Sequence, residues 1–346
     1  MKQTVFDWAV IGAGPAGIAA VGRLIDNGIT PSRILWIDPY FQVGDLGRLW
    51  RTISSNTKVK LFLDFLHASP AFNYTNAPTD FALNHLPVDD TCTMNHIVEP
   101  LQWISNALAS KVHAIKSHIN HLERINGQWE IRSETEQWST NKAILATGAE
   151  PEYLHYPSIK PLSFEIAIDQ TRLQKAIQSS QTIAVFGSSH SAIMIIRNLV
   201  DLNVNKIINF YQSPIRYAMS LGDWILFDNT GLKGTTAKWA REFIDGSLPV
   251  NLERYLSTPS NIAHYLPECD QVIYAIGFKR RNHITVGNYE RIDYNPYVGI
   301  IALDLFGLGI AYPEEKRDPF GNEESLVGMW KFMNYLNRVL PIWLNY

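Results

Sequence analysis

Cysteine is scarce in this chain: 346 residues hold two, Cys92 and Cys269. That excludes a disulfide scaffold, a thiolate zinc cluster and a C-x-x-C redox pair. No stretch of about 18 uncharged apolar residues occurs, so nothing in the sequence reads as a membrane span. Met1–Gln3 lead into a strand-like segment without a basic stretch followed by a long apolar one, so a cytoplasmic protein is expected. Charge of one sign is also missing. Thirty Lys+Arg against thirty-three Asp+Glu leave −3, which gives no reason to expect nucleic acid or an acidic membrane as partner. Charged residues make up 18% and apolar ones 46%, enough to bury a large core and to exclude a disordered chain. His113, His118 and His121 lack the carboxylate or cysteine pattern of a metal site, so no metal is expected.

What is present starts at the N-terminus. Asp7–Gly17 reads as a buried strand followed by Gly12, Gly14 and Gly17 in the spacing G-x-G-x-x-G, with Pro15 and Ala16 between the last two. Ile18, Val21, Leu24 and Ile25 then recur at helical spacing, and Gly28 is placed to end the helix. A second strand, Arg33–Ile37, stops at Asp38. Gly12 permits the tight turn, Gly14 lets a pyrophosphate approach the backbone, and Gly17 lets helix and strand pack closely. The pyrophosphate would meet unpaired N–H groups at the positive end of a helix, and Asp38 would accept from a ribose. Strand, motif, helix, strand and terminal acid in this order predict dinucleotide binding.

The pattern occurs twice. Thr182–Ile193 repeats strand, turn and helix, with Gly187 matching Gly12, Ser189 matching Gly14 and Ala192 matching Gly17. Ser188, His190 and Ser191 fill the rest of this turn, and serine hydroxyls can donate to phosphate. After the strand Lys206–Phe210, Tyr211 stands in the place of Asp38, and Arg216 follows. With no carboxylate to repel a 2′-phosphate and an arginine to pair with it, this turn reads as a site for NADP rather than NAD. Two apolar strands also end in glycine: Lys142–Gly148, closing on Ala-Thr147-Gly148, and Val272–Phe278, closing on Ala-Ile-Gly277-Phe.

A duplicated nucleotide turn with these two joints resembles the flavin- and pyridine-nucleotide-dependent oxidoreductases, over residues 5 to about 310. The resemblance implies an α/β fold of two Rossmann-like dinucleotide-binding domains, each with a central parallel sheet, and small β-meanders. The FAD domain would comprise residues 1–155 and 280–346, and the NAD(P)H domain residues 156–279. The alternating segment 112–140 would supply a meander. NADPH would then pass hydride to FAD. Families of this kind place Gly-Asp after a late strand, the acid binding the ribityl chain. Asp304 is the candidate here, although the adjacent glycine is missing and Gly307-Leu-Gly309 can supply the close approach instead.

Within this group the two distant cysteines do not suit a dithiol relay. Gly44–Trp50 and Ser54–Phe65 resemble the glycine-rich run ending in tryptophan, and the Ser/Thr-Asn segment, of flavin-containing monooxygenases. By that match Trp50 and Asn56 lie at the flavin, and Asn56 can hydrogen-bond the oxygen that reacts there. A small-molecule substrate and dioxygen would be the partners. The branch's F-x-G-x-x-x-H motif is absent; Thr171–Ser180 stand there instead. Two alternatives stay open: an NAD(P)H-dependent reductase or oxidase without a redox dithiol, and a non-catalytic nucleotide sensor. The apolar C-terminal segment Leu326–Tyr346 reads as a helix docked on the FAD domain, with a membrane-surface or homodimer contact as the second reading.

Overall fold

Strand β1 (Val5–Ile11) is apolar on both faces, as a central strand of a parallel sheet must be. Its Trp8 and Val10 enter a helix-covered core, while Ala9 and Ile11 face a second core on the other side of the sheet. The structure, a computed structural model, describes residues 4–287 and 293–346.

Helix α1 (Pro15–Asp26) follows, then β2 (Ile34–Ile37), which pairs in parallel with β1 and splits its side chains between the same two cores. Next come α2 (Gly44–Leu49), α3 (Val59–His67) and α4 (Asn95–Ala109), which cover the α1 side, and β3 (His113–Ile115), parallel to β2. Three antiparallel strands, β4 (His121–Ile125), β5 (Gln128–Arg132) and β6 (Gln137–Leu145), form a meander. The nine residues of β6 serve two neighbours: the first half pairs with β5, and Ser139–Leu145 run parallel to β1.

The chain divides into two compact units, Met1–Ala149 with Arg280–Tyr346, and Glu150–Lys279. The second unit repeats the parallel plan with β7 (Thr182–Phe186), α5 (His190–Asp201), β8 (Lys206–Tyr211), α6 (Gly234–Phe243), β9 (Leu252–Leu256) and β10 (Gln271–Tyr274). Its sheet runs Lys160–Pro161, β10, β7, β8, β9, every pair parallel.

On returning to the first unit, the chain adds β11 (Leu305–Gly307), parallel to the second half of β6 with Gly307 opposite Leu145. Helix α7 (Met329–Asn345) ends the chain, burying Phe332, Met333, Leu336, Val339, Leu340 and Trp343 against α1 and α3. No helix among the described residues is long and apolar enough to cross a membrane.

Candidate functional site

Both glycine turns sit where a parallel strand hands over to its helix, at the carboxyl edge of a sheet, where ligands bind in open α/β folds. Their geometry matches bond for bond. Gly12 N–H donates to Ile37 O and Gly187 N–H to Phe210 O, each at 2.8 Å. Gly12 has φ 113° and Gly187 φ 122°, a region closed to residues with a Cβ. A Cβ on either would lie 2.2 Å from a carbonyl oxygen, that of Ala146 in the first unit and Ala275 in the second. Those alanines open the two Ala-x-Gly joints, and Thr147 and Gly148 continue the first as Gly277 continues the second. Gly148 and Gly277 both have positive φ, 74° and 120°.

A side chain from the neighbouring strand fixes each turn. Trp36 Nε1 donates to Gly12 O at 2.9 Å, and Asn209 Nδ2 donates to Gly187 O at 2.8 Å. Neither residue was part of the motif read from the sequence; the signal was their equal place before Asp38 and Tyr211.

In the first turn a Cβ on Gly17 would reach within 1.9 Å of Gly12 O, so the helix is seated directly on the strand end. Gly14 faces open space, where a Cβ would meet nothing nearer than Gly44 Cα at 3.9 Å. Ile18 donates the first α1 bond to Gly14 O, leaving the N–H groups of Ala16 and Gly17 at the helix mouth beside Pro15. Asp38 is only 7% exposed. It accepts from Ala13 N–H at 2.7 Å, and from Tyr40 and Phe41 N–H at 2.8 and 2.7 Å. Of the four lone-pair positions of a carboxylate, these bonds use three and leave one for a ribose hydroxyl. A polar groove of about 570 Å³ opens beside this loop, its lining including Arg48, Arg51 and Lys116 and no carboxylate. These features fit the diphosphate and ribose of FAD.

The remaining first-unit candidates divide. Trp50 closes α2 and is half-buried. Asn56 is exposed on the bulged strand Ser54–Lys58, its Oδ1 accepting from Thr57 Oγ1 at 3.4 Å. Asp304 is a correction. It sits in the turn before β11, at the end of the sheet opposite Gly12, and its carboxylate accepts from Arg124 at 2.8 Å. Three residues of strand, about 10 Å, separate it from the nucleotide edge. Gly309 occupies that edge instead: a Cβ there would lie 2.6 Å from Ala16 Cβ. Strand direction, not spacing, decides which end of β11 meets the turn. Arg281, paired with Asp45 of α2, lies beside Gly148 and was not anticipated either.

In the second turn Ser189 caps α5 with φ −85° and ψ −175°, close to Gly14 with −76° and −179°. Ile193 donates to Ser189 O, so Ser191 and buried Ala192 take the places of Ala16 and Gly17. Ser188 Oγ donates to Ser213 O at 3.1 Å. His190 is mostly buried, with Nε2 3.4 Å from Thr236 Oγ1 and Nδ1 left without a partner. Burial and the nearby Lys233 ammonium pull its pKa down to about 4, so the ring is neutral at pH 7. Arg216 is exposed, its guanidinium 5.0 Å from the centre of the Phe227 ring. Lys233 pairs with Asp228. No metal-holding cluster of histidine, cysteine and acid occurs among the described residues.

Comparison with known proteins agrees with this geometry. Residues 6–290 match the family model described as pyridine nucleotide-disulphide oxidoreductase. A "Monooxygenase AgnR1" of Paecilomyces divaricatus is 34% identical, covering 97% of this chain and 97% of its own. Two solved structures share the fold at 13% identity, each over 99% of both chains. They are a flavin-containing monooxygenase from Stenotrophomonas maltophilia, TM-score 0.65, and an ornithine N-hydroxylase from Kutzneria sp. 744 with reduced FAD, NADP+ and L-ornithine, TM-score 0.66. With two matching nucleotide turns on two parallel sheets, the chain belongs to the pyridine nucleotide-disulphide oxidoreductase family and is an FAD-dependent NAD(P)H oxidoreductase.

Proposed function

We propose that the chain is a flavin monooxygenase-like enzyme that takes hydride from NADPH, hands electrons to dioxygen and oxygenates a small molecule. The observation that carries this reading is the pair of matching turns, of which only the first ends in a carboxylate. Asp38 suits the ribose of FAD, and Tyr211 brings no carboxylate to repel a 2′-phosphate. When bound, FAD supplies the two-electron chemistry and the contact with dioxygen. The protein's part is to bind and orient. The α1 mouth at Ala16 and Gly17 holds the diphosphate, Asp38 holds the ribose, and Gly309 leaves room beside Ala16. In the second unit Ser188–Ala192 take up the nicotinamide nucleotide's diphosphate.

The thiols do not support electron relay. Cys92 and Cys269 lie in different units. Burial raises both pKa values, that of Cys269 to about 12, so neither is a ready thiolate. The likeness to a monooxygenase at 34% identity favours dioxygen as acceptor.

Asn56, exposed on its bulged strand, is the residue this reading assigns to the reacting oxygen. Asn56→Ala is expected to change reoxidation of the reduced protein by dioxygen about ten- to a hundredfold, the weight of one hydrogen bond to a charged group. Anaerobic reduction by NADPH should stay within about twofold. Stopped-flow flavin absorbance reads both, and unaltered reoxidation removes the role. Purified protein that takes up no FAD would overturn the whole reading.

A further inference from the structure

Asn209, which fixes the second glycine turn, is itself held from behind. Its Oδ1 accepts from Arg254 Nε at 2.9 Å, while its Nδ2 donates to Val185 O and Gly187 O. Arg254 stands opposite Asn209 in the register of β9 on β8. Two positions further along β8 lies Tyr211, on the same face, with the Arg254 guanidinium 4.7 Å from its ring centre. One terminal nitrogen of that guanidinium is buried and has no hydrogen-bond partner. A half-buried guanidinium with an idle, buried donor is costly to keep, and the fold supports it beside Tyr211, which stands where the first turn carries Asp38.

The charges around it are unequal. Asp245 is the carboxylate of this corner; it accepts from Tyr217 OH at 2.5 Å, and Arg241 lies 4.3 Å from the Tyr217 ring centre. Tyr217 thus feels the charges of two guanidinium groups, Arg241 and Arg254, and of one carboxylate, so the corner is positive on balance.

Building on the NADPH reading, we infer that Arg254 is the residue that selects the phosphorylated pyridine nucleotide: its idle nitrogen and surplus charge receive the 2′-phosphate once the Tyr211 ring turns aside. The guanidinium is already oriented by Asn209, so little side-chain freedom is lost on binding. Arg216, further along the loop and exposed, is left as a secondary contact.

The test uses the FAD-loaded enzyme and compares kcat/KM for NADPH and NADH in anaerobic flavin reduction. In Arg254→Gln the NADPH:NADH ratio is expected to fall by about ten- to a hundredfold, in keeping with loss of a charge-assisted contact. Arg254→Lys keeps a charge and a donor for Asn209 but not the fork, and should lower the ratio by about three- to tenfold. It decides the matter alone if Arg254→Gln does not fold. Both variants keeping the wild-type ratio, with Arg216→Gln abolishing it, would overturn the inference while leaving NADPH as donor. A wild-type enzyme without preference for NADPH would overturn the inference and the donor assignment together.

Discussion

At the residue scale, two glycines with the same conformation are expected to fail differently. Alanine at position 12 or 187 meets both a positive φ and a carbonyl oxygen at 2.2 Å, which together cost about 3 kcal/mol locally. Gly12→Ala should yield protein that loses flavin on gel filtration. Gly187→Ala should stay yellow and show a raised KM for NADPH. The same outcome for both variants would contradict separate nucleotide assignments. His190 carries a pH prediction. Its folded pKa, about 4, lies below the ordinary 6.5, so between those values the unfolded chain binds more protons. Stability is complete above about pH 6.5 and is lost as pH falls toward 4, by at most about 3 kcal/mol. Denaturant midpoints over that range should drop less in His190→Gln than in wild type. The glycine spacing and Asp38 were legible because each residue type there answers a local backbone demand. Trp36, Asn209 and Arg254 were not, since their meaning lies in which neighbouring strand they face, and that pairing is set by the whole sheet.

At the element scale, α7 depends on a residue far from it in sequence. Lys142 Nζ donates to Trp343 O at 2.7 Å and Leu344 O at 3.0 Å, satisfying carbonyls at the helix end and opposing its dipole. Burial pulls the lysine pKa down, and the Asp304 carboxylate works against that shift. Lys142→Met should cost about 1–2 kcal/mol and raise amide exchange in the last turn of α7 first. Uniform exchange along the helix would count against the cap. Most elements could be read from pattern alone: β1 is apolar but for Asp7 and ends at the glycine turn, and α7 was visible in apolar residues at helical spacing. Strand β11 could not be read this way. Its three residues carry no period, and only pairing with β6 makes Asp304 a turn residue and Gly309 an edge residue.

For the whole molecule, scarcity of cysteine becomes an experimental handle. The double variant Cys92→Ser/Cys269→Ser should keep NADPH-driven flavin reduction within about twofold, because neither half-buried thiol is poised as a thiolate. A tenfold loss with unchanged flavin content would restore a thiol route. The two-unit division also bears on assembly. Residues 150–279 are continuous, whereas the first sheet lacks β11, and α1 lacks the part of its cover that α7 gives, until residues 305–345 are made. At roughly 5–20 residues per second, the ribosome leaves that sheet edge unpaired and that helix only partly covered for on the order of ten seconds. The unit of residues 150–279 can therefore mature first, and the first unit's nucleotide edge, which β11 and Gly309 complete, is finished after it.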